Sequence, residues 1–249
     1  MRAMVLAAGL GQRMRPLTND TAKPLLMLRG RSLLDHALDR LHDSGVTQAV
    51  VNAHWKAERV VAAMAGRKNP RVRVQLESEL LETGGGVRQA LPLLGEAPFP
   101  VVNGDAYWLD GPTPALTRLL RGFDPARMDA LLLLVRTTQV EGEVGRGDFL
   151  MDGWGRLARP PRHVLAPYIF SGIQILAPGL VAPGFVAPGF VAPGVVLPEE
   201  VAPFSLNRCY DSAAAAGRLF GLVHDGLWFH LSTPPDLVAA EQRLRRGFL

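Results

Sequence analysis

Residues 1–26 read MRAMVLAAGLGQRMRPLTNDTAKPLL, and this stretch indicates both the fold and the kind of site that the chain carries. The apolar run 3–8 predicts a buried strand, which passes directly into the glycine-rich turn GLGQR at residues 9–13. Backbone N–H groups of such a turn point at anionic oxygens, and Arg13 and Lys23 add positive charge. The stretch therefore predicts a polyphosphate site at the end of the first strand.

The glycine spacing separates this turn from two common phosphate loops. A Rossmann fingerprint needs a third glycine at position 14, where the chain has Met14. A P-loop needs Gly-Lys followed by Ser or Thr, which this turn lacks. A Rossmann-type dehydrogenase is therefore disfavoured, and the turn is either a third kind of phosphate loop or a plain, tight strand-to-helix turn.

Size and composition favour one enzyme-sized domain with a small anionic substrate. The 249 residues, of which 48% are hydrophobic and 20% charged, suffice for one substantial core, so we expect a single domain over 1–249. A net charge of +4 with only 7% aromatic residues gives no nucleic-acid signal. Cys209 is the single cysteine, which excludes an intrachain disulfide. The N-terminal apolar run is too short to span a membrane, so we expect a cytoplasmic protein with no membrane partner.

Strand and helix patterns alternate along the chain. Apolar runs predict further strands at 46–52, 72–76, 99–102, 130–135, 148–151, 168–176, 219–223 and 228–230. Amphipathic patterns predict helices at 33–44, 57–65, 86–94, around 118–120, at 205–216 and at 235–246. The alternation indicates an α/β fold with a mostly parallel sheet covered on both faces, in a regular half 1–136 and a less regular half 137–249. Ligands bind at the carboxyl ends of such strands, where 9–13 and 103–105 both fall.

A repeat interrupts the second half. The units APGLV, APGFV, APGFV and APGVV begin at Ala177, Ala182, Ala187 and Ala192. A period of five is too short for an ordinary solenoid, and each Pro-Gly pair favours a turn. We interpret about 177–203 as an irregular surface insertion, with binding of a partner as the alternative.

Three further segments carry candidate chemistry, each with a plain structural alternative. VVNGD at 101–105 places Asp105 just past a strand end, where it can hold Mg²⁺, although Asn-Gly-Asp also suits a simple turn. LETGGG at 81–86 can let a flat base approach the backbone, or can be a flexible loop. GRGDF at 145–149 offers Asp148 to sugar hydroxyls, or forms a hairpin turn.

Taken together, LAAGLGQRMRPLT, AKPLL, LETGGG, VNGD and GRGDF resemble the sugar-1-phosphate nucleotidyltransferases, also called nucleoside-diphosphate-sugar pyrophosphorylases. The resemblance covers nearly the whole chain apart from the Pro-Gly repeats. LETGGG, GRGDF and FSG at 170–172 are most similar to the bacterial N-acetylmuramate α-1-phosphate uridylyltransferases of cell-wall recycling. Mannose-1-phosphate guanylyltransferases share the first motif. The resemblance implies a Rossmann-like three-layer sandwich of the nucleotide-diphospho-sugar transferase type, with sugar binding in the second half.

The resemblance also implies roles for individual residues. Arg13, Lys23 and Asp105 would be the catalytic groups, with Asp105 holding Mg²⁺. The implied nucleotide-binding set is Ala8, Gly9, Gly11, Gln12, Arg13, Lys23, Glu82, Gly85 and Asn103. The implied sugar-binding set is Gly147, Asp148 and Ser171. The substrates would be a nucleoside triphosphate and a sugar 1-phosphate.

One stretch departs from the family pattern. Many relatives carry a second metal-binding aspartate in a W-V-D-V-G-T-like stretch, and the matching residues here are WFHLST at 228–233, with His230 at the aspartate position. Histidine suits Mn²⁺ or Co²⁺ better than Mg²⁺. Either Asp105 holds the metal with waters and phosphates alone, or the metal preference shifts, or activity is reduced. The resemblance thus implies a nucleotidyltransferase that acts on UTP and N-acetylmuramate α-1-phosphate. The alternatives are a mannose-1-phosphate guanylyltransferase or another sugar-1-phosphate nucleotidyltransferase, and a degenerate nucleotide-sugar sensor.

Overall fold

The computed structural model describes residues 1–141, 145–182 and 201–247. These residues form strands β1 (Arg2–Leu6), β2 (Met27–Leu28), β3 (Arg31–Ser32), β4 (Gln48–Ala53), β5 (Arg71–Leu76), β6 (Phe99–Asn103), β7 (Tyr107–Leu109), β8 (Ala130–Arg136), β9 (Leu150–Met151), β10 (Leu157–Ala158), β11 (Tyr168–Leu176), β12 (Leu219–Val223) and β13 (Leu227–Phe229). The α-helices are α1 (Leu33–Asp43), α2 (Ala57–Met64), α3 (Glu82–Leu94), α4 (Ala115–Gly122), α5 (Leu206–Ala215) and α6 (Pro234–Arg246). In the part of the chain described, no helix has the length and apolar character needed to cross a membrane.

Seven strands form the central sheet, in the order β12-β8-β11-β6-β1-β4-β5. Every neighbouring pair is parallel except those that involve β11, which runs antiparallel to both β6 and β8. The mostly parallel sheet predicted from the alternating pattern is therefore confirmed. Its carboxyl ends bring the residues after β1, β4 and β6 to one edge.

Helices cover both faces of the sheet, because alternate residues of each buried strand point to opposite sides. On one face, Val5 and Leu133 pack with apolar residues of α1, α2 and α4. On the other face, Met4 and Leu132 pack with apolar residues of α3 and α5. This two-sided burial explains why the strands read as continuous apolar runs, and it confirms the three-layer arrangement.

A smaller apolar cluster lies beyond the main sheet and includes Met14, Leu28, Tyr107 and Phe229. It packs the short pair β13-β7 and the hairpin β2-β3 together with α6. Helix α6 begins with a capping box in which the Thr233 side chain accepts from the backbone of Asp236 and the Asp236 side chain accepts from the Thr233 backbone. This cluster holds the C-terminal segment against the loop that follows β1.

Two expectations from the sequence need correction. The third helix begins at Glu82 and not at Gly86, because Gly84 packs against Phe204, Gly85 against Ala202 and Gly86 against Asn52, and these contacts hold the glycines in helical conformation despite their poor intrinsic propensity. The first APGLV unit is not a surface segment. Its Pro178–Val181 portion is a 3-10 helix with Leu180 and Val181 fully buried. The remainder of the repeat, 183–200, lies outside the described residues.

Candidate active site

A cavity of about 690 Å³ opens at the carboxyl edge of the sheet. Its walls come from the loop 6–14 after β1, from Asn52 at β4, from the start of α3 and from Asn103 and Asp105 after β6. We call it the larger cavity. Its position matches the general rule for ligand sites in parallel sheets.

Contacts with residues outside the glycine-rich loop fix its conformation. Gly11 has a φ of +61°, and a Cβ there would meet Thr18 and Lys23 at 3.1 and 3.2 Å, so the position requires glycine. The Thr18 hydroxyl donates to the Gly11 carbonyl at 2.8 Å, and the Trp55 indole N–H donates to the Thr18 carbonyl at 3.0 Å. Met14 is fully buried and anchors the end of the loop in the small apolar cluster.

A buried polar chain links this loop to the start of α3. The Ala7 backbone N–H donates to Asn52 Oδ1 at 2.7 Å, and Asn52 Nδ2 donates to Glu77 Oε1 at 2.7 Å. The other carboxylate oxygen of Glu77 accepts from the Leu81 N–H at 3.1 Å. Burying a polar group without a partner costs free energy, so these hydrogen bonds are expected to be kept. They therefore fix the loop after β1 relative to the start of α3, which form two walls of the larger cavity.

The start of α3 has an unusual backbone. Glu82 lines the larger cavity with a φ of +59°, which residues other than glycine rarely adopt. Behind it, the N–H groups of Gly84 and Gly85 both donate to the Phe204 carbonyl. A Cβ on Gly85 would lie 2.5 Å from the Ala202 carbonyl oxygen. Protein packing thus accounts for these glycines, and the expected place of Gly85 near a base stays a prediction.

Lys23 and Asp105 form an ion pair, with Lys23 Nζ 2.5 Å from Asp105 Oδ2. Pro24 follows Lys23 in a short 3-10 helix that fixes the lysine backbone. The Lys23 side chain is 15% exposed and that of Asp105 is 30% exposed. The pair therefore presents a cation and a carboxylate together at the cavity wall.

A second cavity of about 420 Å³ adjoins the first. We call it the smaller cavity. Five residues line both cavities and form what we call the shared wall, namely Arg13, Lys23, Asn103, Asp105 and Ser232. Arg13 makes no ion pair with any described residue. Ligands bound in the two cavities would therefore meet at these residues, and a group transferred from one ligand to the other would be in contact with them.

The end of strand β6, which carries Asn103 into the shared wall, lies close against the neighbouring strands β1 and β11. The N–H of Gly104 donates to the Leu6 carbonyl at 2.8 Å, which ties the end of β6 to β1. Gly172 has a φ of +85°, and a Cβ on it would lie 2.7 Å from Asn103 Nδ2. The register of β11 shifts between Phe170 and Gln174, around this close approach. Glycine at 172 therefore leaves room for the Asn103 amide at the cavity.

Two of the three sugar-binding residues expected from the sequence line the smaller cavity. Asp148 lines it, and one carboxylate oxygen accepts from the Phe170 N–H at 2.8 Å. Ser171 lines it as well, with a buried hydroxyl that has no hydrogen-bond partner among the described residues. Gly147 has a φ of +75° and packs on the Ala166 backbone without lining the cavity.

His230 lines the smaller cavity beside the shared wall. Burial lowers the pKa of its ring below the ordinary value, and Arg13 and Lys23 lower it further, while Asp236 and Asp105 oppose the change. The ring is therefore neutral near pH 7, which is the form that can bind a metal ion.

The residues present fit a divalent ion held mainly by a single carboxylate. No three His, Cys, Asp or Glu side chains of the described residues gather into a metal-binding group. Magnesium in phosphate sites, however, needs only one or two carboxylates, with waters and substrate phosphates as its other ligands. Asp105, partly exposed and facing both cavities, meets that requirement.

The cavities bring together most of the residues that the sequence singled out. The larger cavity collects Ala8, Gly9, Gly11, Gln12, Arg13, Lys23, Glu82, Asn103 and Asp105, and the smaller one adds Asp148, Ser171 and His230. Gly85 and Gly147 lie behind the walls. Asn52, Ser205 and Ser232 also line the cavities but were not foreseen. Asn52 could have been found, because it is a polar residue at the carboxyl end of the predicted strand 46–52, where ligands bind in such sheets.

The chain is similar in sequence to known proteins. Residues 2–145 match the family model described as Nucleotidyl transferase. The chain is 40% identical over 247 residues to N-acetylmuramate alpha-1-phosphate uridylyltransferase of Caulobacter vibrioides, which covers 97% of this chain and 96% of that protein. It is 28% identical to Mannose-1-phosphate guanyltransferase of Aspergillus fumigatus, over 96% of this chain and 62% of the longer relative.

Solved structures agree on the fold. HddC from Yersinia pseudotuberculosis superimposes with a TM-score of 0.71 at 21% identity, over 98% of this chain and 99% of that one. A putative glucose-1-phosphate thymidylyltransferase from Bacillus anthracis superimposes with a TM-score of 0.75 at 16% identity, over 100% of this chain and 97% of that one. At these identities the likeness shows the fold alone. The family model and the relative that spans nearly the full length carry the assignment: the chain belongs to the nucleotidyl transferase family, among the sugar-1-phosphate nucleotidyltransferases.

Proposed function

We propose that this protein transfers a uridylyl group from UTP to N-acetylmuramate α-1-phosphate, giving the UDP-sugar and pyrophosphate. The observation that carries the proposal is the shared wall, where two cavities of substrate size meet at Arg13, Lys23 and Asp105. The Caulobacter relative, similar over nearly the whole of both chains, supports this choice of base and sugar. The reaction would then belong to cell-wall recycling, in the cytoplasm where UTP is available.

The two cavities would divide the substrates between them. Nucleoside triphosphate and sugar phosphate are the substrates on which the family acts. The triphosphate would lie in the larger cavity, against the backbone of loop 9–13, and the base would lie toward Glu82. The sugar 1-phosphate would lie in the smaller cavity, with its hydroxyls toward Asp148 and Ser171. Both phosphate ends would then reach the shared wall.

The chemistry is an in-line displacement at phosphorus. An oxygen of the sugar 1-phosphate attacks the α-phosphorus and forms a new P–O bond, while the bond from the α-phosphorus to the bridging oxygen breaks and pyrophosphate leaves. The nucleophile is already an anion, so no general base is needed. Arg13, Lys23 and the loop amides stabilise negative charge on the transferred and leaving groups, and they hold the reacting ends in line.

Members of the family generally use a divalent metal ion. We propose that the ion is Mg²⁺ and that Asp105 would hold it. Such an ion would neutralise phosphate charge when bound. The two groups of the ion pair would then have complementary roles. The Asp105 carboxylate would hold the metal ion, and the Lys23 ammonium would bind phosphate oxygens directly.

The identity of both substrates is tested by measuring pyrophosphate release. Purified protein is assayed with UTP, GTP, CTP and dTTP against N-acetylmuramate α-1-phosphate, N-acetylglucosamine α-1-phosphate, glucose α-1-phosphate and mannose α-1-phosphate. UTP with the N-acetylmuramate ester should give the highest kcat/KM. Preference for GTP with mannose 1-phosphate would instead establish a guanylyltransferase, the second candidate because of the similarity to the Aspergillus protein. Thermal stabilisation by nucleotides without pyrophosphate from any pair would indicate a sensor and contradict an enzymatic role.

A further inference from the structure

Ser232 is a buried hydroxyl at the point where the two cavities meet. It is 6% exposed, it belongs to the shared wall, and its Oγ has no hydrogen-bond partner among the described residues. Leaving a buried hydroxyl without a partner costs free energy comparable to a lost hydrogen bond. Ser232 lines both cavities together with Arg13, Lys23 and Asp105, so a rotation about its Cα–Cβ bond would turn the unpartnered hydroxyl from its buried position toward a ligand atom.

The backbone around Ser232 is held in place. Asp236 Oδ2 accepts from the N–H of Ser232 at 2.9 Å and from the N–H of Thr233 at 2.7 Å. The neighbouring Leu231 is buried in the small apolar cluster. Because Asp236 belongs to the first turn of α6, the helix fixes where the Ser232 side chain begins. The backbone that carries the hydroxyl therefore loses little conformational freedom when a ligand binds.

The residue type at this position suits a phosphate ligand. Serine hydroxyls are effective donors to phosphate oxygens, and hydrogen bonds to charged groups are the stronger ones.

We infer that the Ser232 hydroxyl donates a hydrogen bond to the phosphate of the sugar 1-phosphate and thereby positions the attacking group. The inference rests on the proposed function and adds a binding residue to it. The acceptor phosphate is favoured over the triphosphate because Ser232 adjoins Leu231 and His230, which line the smaller cavity only. The loop amides already serve the triphosphate from the opposite wall.

The test is a kinetic comparison of Ser232→Ala with wild type. Loss of one hydrogen bond to a charged group should lower kcat/KM for the sugar 1-phosphate by roughly 10- to 100-fold. The KM for UTP should remain within about twofold, since the loop that binds UTP is untouched. Inorganic phosphate, used as a competitor of the sugar phosphate, should inhibit the variant more weakly. Ser232→Gly, which also removes the hydroxyl, should behave like Ser232→Ala.

Ser212→Ala is the matched control. Ser212 is also buried, but it lies in α5 and lines neither cavity. This variant should retain wild-type kinetics. Unchanged acceptor kinetics in Ser232→Ala, or an equal rise in the KM of both substrates, would overturn the inference. If wild type itself releases no pyrophosphate with this pair, the proposed function fails instead, so the two failures are distinguishable.

Discussion

Lys23 and Asp105 show how two ordinary side chains become a site through position. Their ion pair is partly exposed, and pairs of that kind contribute little to stability. Their importance lies in where they stand, since both face the larger and the smaller cavity. At the residue scale, the proposed function would have catalysis depend on charges aimed at the point of transfer rather than on a general base.

Removal of either charge should slow turnover severely. Asp105→Ala and Lys23→Ala are each expected to lower kcat by about a hundredfold or more, the usual scale for loss of one group that stabilises transition-state charge. Pyrophosphate release at saturating Mg²⁺ measures the effect. Lys68→Ala is the control, because Lys68 is exposed and remote from both cavities. A wild-type rate in Asp105→Ala would refute the metal assignment.

His230 offers a test of which residues hold the metal. If Asp105 is the protein ligand and waters and phosphates supply the rest, His230→Ala should leave the ratio of activity in Mn²⁺ to activity in Mg²⁺ unchanged. The ratio is obtained from pyrophosphate release at saturating concentrations of each ion. A fall in the ratio would mean instead that the imidazole is a ligand and that the chain has shifted its metal preference.

Sequence motifs predicted only part of this site. Asp105 could be anticipated because it comes just after an apolar strand, and Lys23 because it is a charged residue directly before the apolar run 24–26. Ser232 could not, because its significance depends on burial beside residues that are far away in the chain. The hydrogen bonds that Glu77 accepts from Asn52 and from a backbone N–H could not be predicted either, since no short sequence pattern marks such a carboxylate.

At the scale of elements, the start of α3 connects the core to the site. Thr83 Oγ1 accepts from the Leu206 N–H at 2.9 Å, and Gly84 packs on the ring of Phe204. The Arg88 guanidinium lies 4.7 Å from the centroid of the same ring and donates to the Val181 carbonyl. The segment that lines the larger cavity is thus fixed by Val181, in the first unit of the Pro-Gly repeat, and by residues that follow the repeat.

Gly84→Ala should destabilise the protein. The new methyl group would overlap the buried Phe204 ring and approach the Phe204 carbonyl oxygen at 2.8 Å. Overpacking of this kind typically costs about 1–3 kcal/mol, more than the helix propensity gained by alanine. Urea denaturation followed by circular dichroism measures the free energy of unfolding.

Gly66→Ala provides the comparison for this variant, because a Cβ there meets nothing within 4 Å. It should leave the free energy of unfolding nearly unchanged. If Gly84→Ala proved as stable as wild type, close packing at the start of α3 would not be what holds the segment.

Elements could be predicted well where apolar periodicity is strong. The pattern at 33–44 predicted α1, and the Ser32 hydroxyl caps it by accepting from the Asp35 N–H. The pattern failed at α3, because three glycines conceal a helix that tertiary packing creates. The short strands β2, β3 and β7 also escaped prediction, since two or three residues show no periodicity.

At the scale of the molecule, the cleft depends on how the C-terminal segment docks. His224 contributes to that docking, for its Nε2 lies 3.1 Å from the Leu109 carbonyl oxygen and 3.3 Å from that of Leu227. Burial lowers the pKa of His224, and hydrogen bonds to these carbonyls and the charges of Asp110 and Asp225 oppose the change only in part. The ring is therefore held neutral in the folded state.

Stability should consequently fall as the pH drops. Unfolding releases His224 to its ordinary pKa near 6.5, so at lower pH the unfolded state binds a proton that the folded state does not. The stabilisation is present above about pH 6.5 and is lost progressively below it. Free energies of unfolding measured from about pH 7 to 5 should decline less steeply in His224→Gln than in wild type. Replacement of the exposed His163 by Gln should leave the slope unchanged, and equal slopes in all three proteins would contradict the assignment to His224.

The central claim, transfer of a nucleotidyl group across the shared wall, is tested most directly with isotopically labelled UTP. Wild-type protein is incubated with N-acetylmuramate α-1-phosphate, Mg²⁺ and UTP that carries ³²P at either the α or the γ position, and the products are separated by chromatography. The account predicts that the α label appears in the UDP-sugar and the γ label in pyrophosphate. Release of the γ label as inorganic phosphate, or retention of both labels in UTP with every acceptor tried, would contradict it.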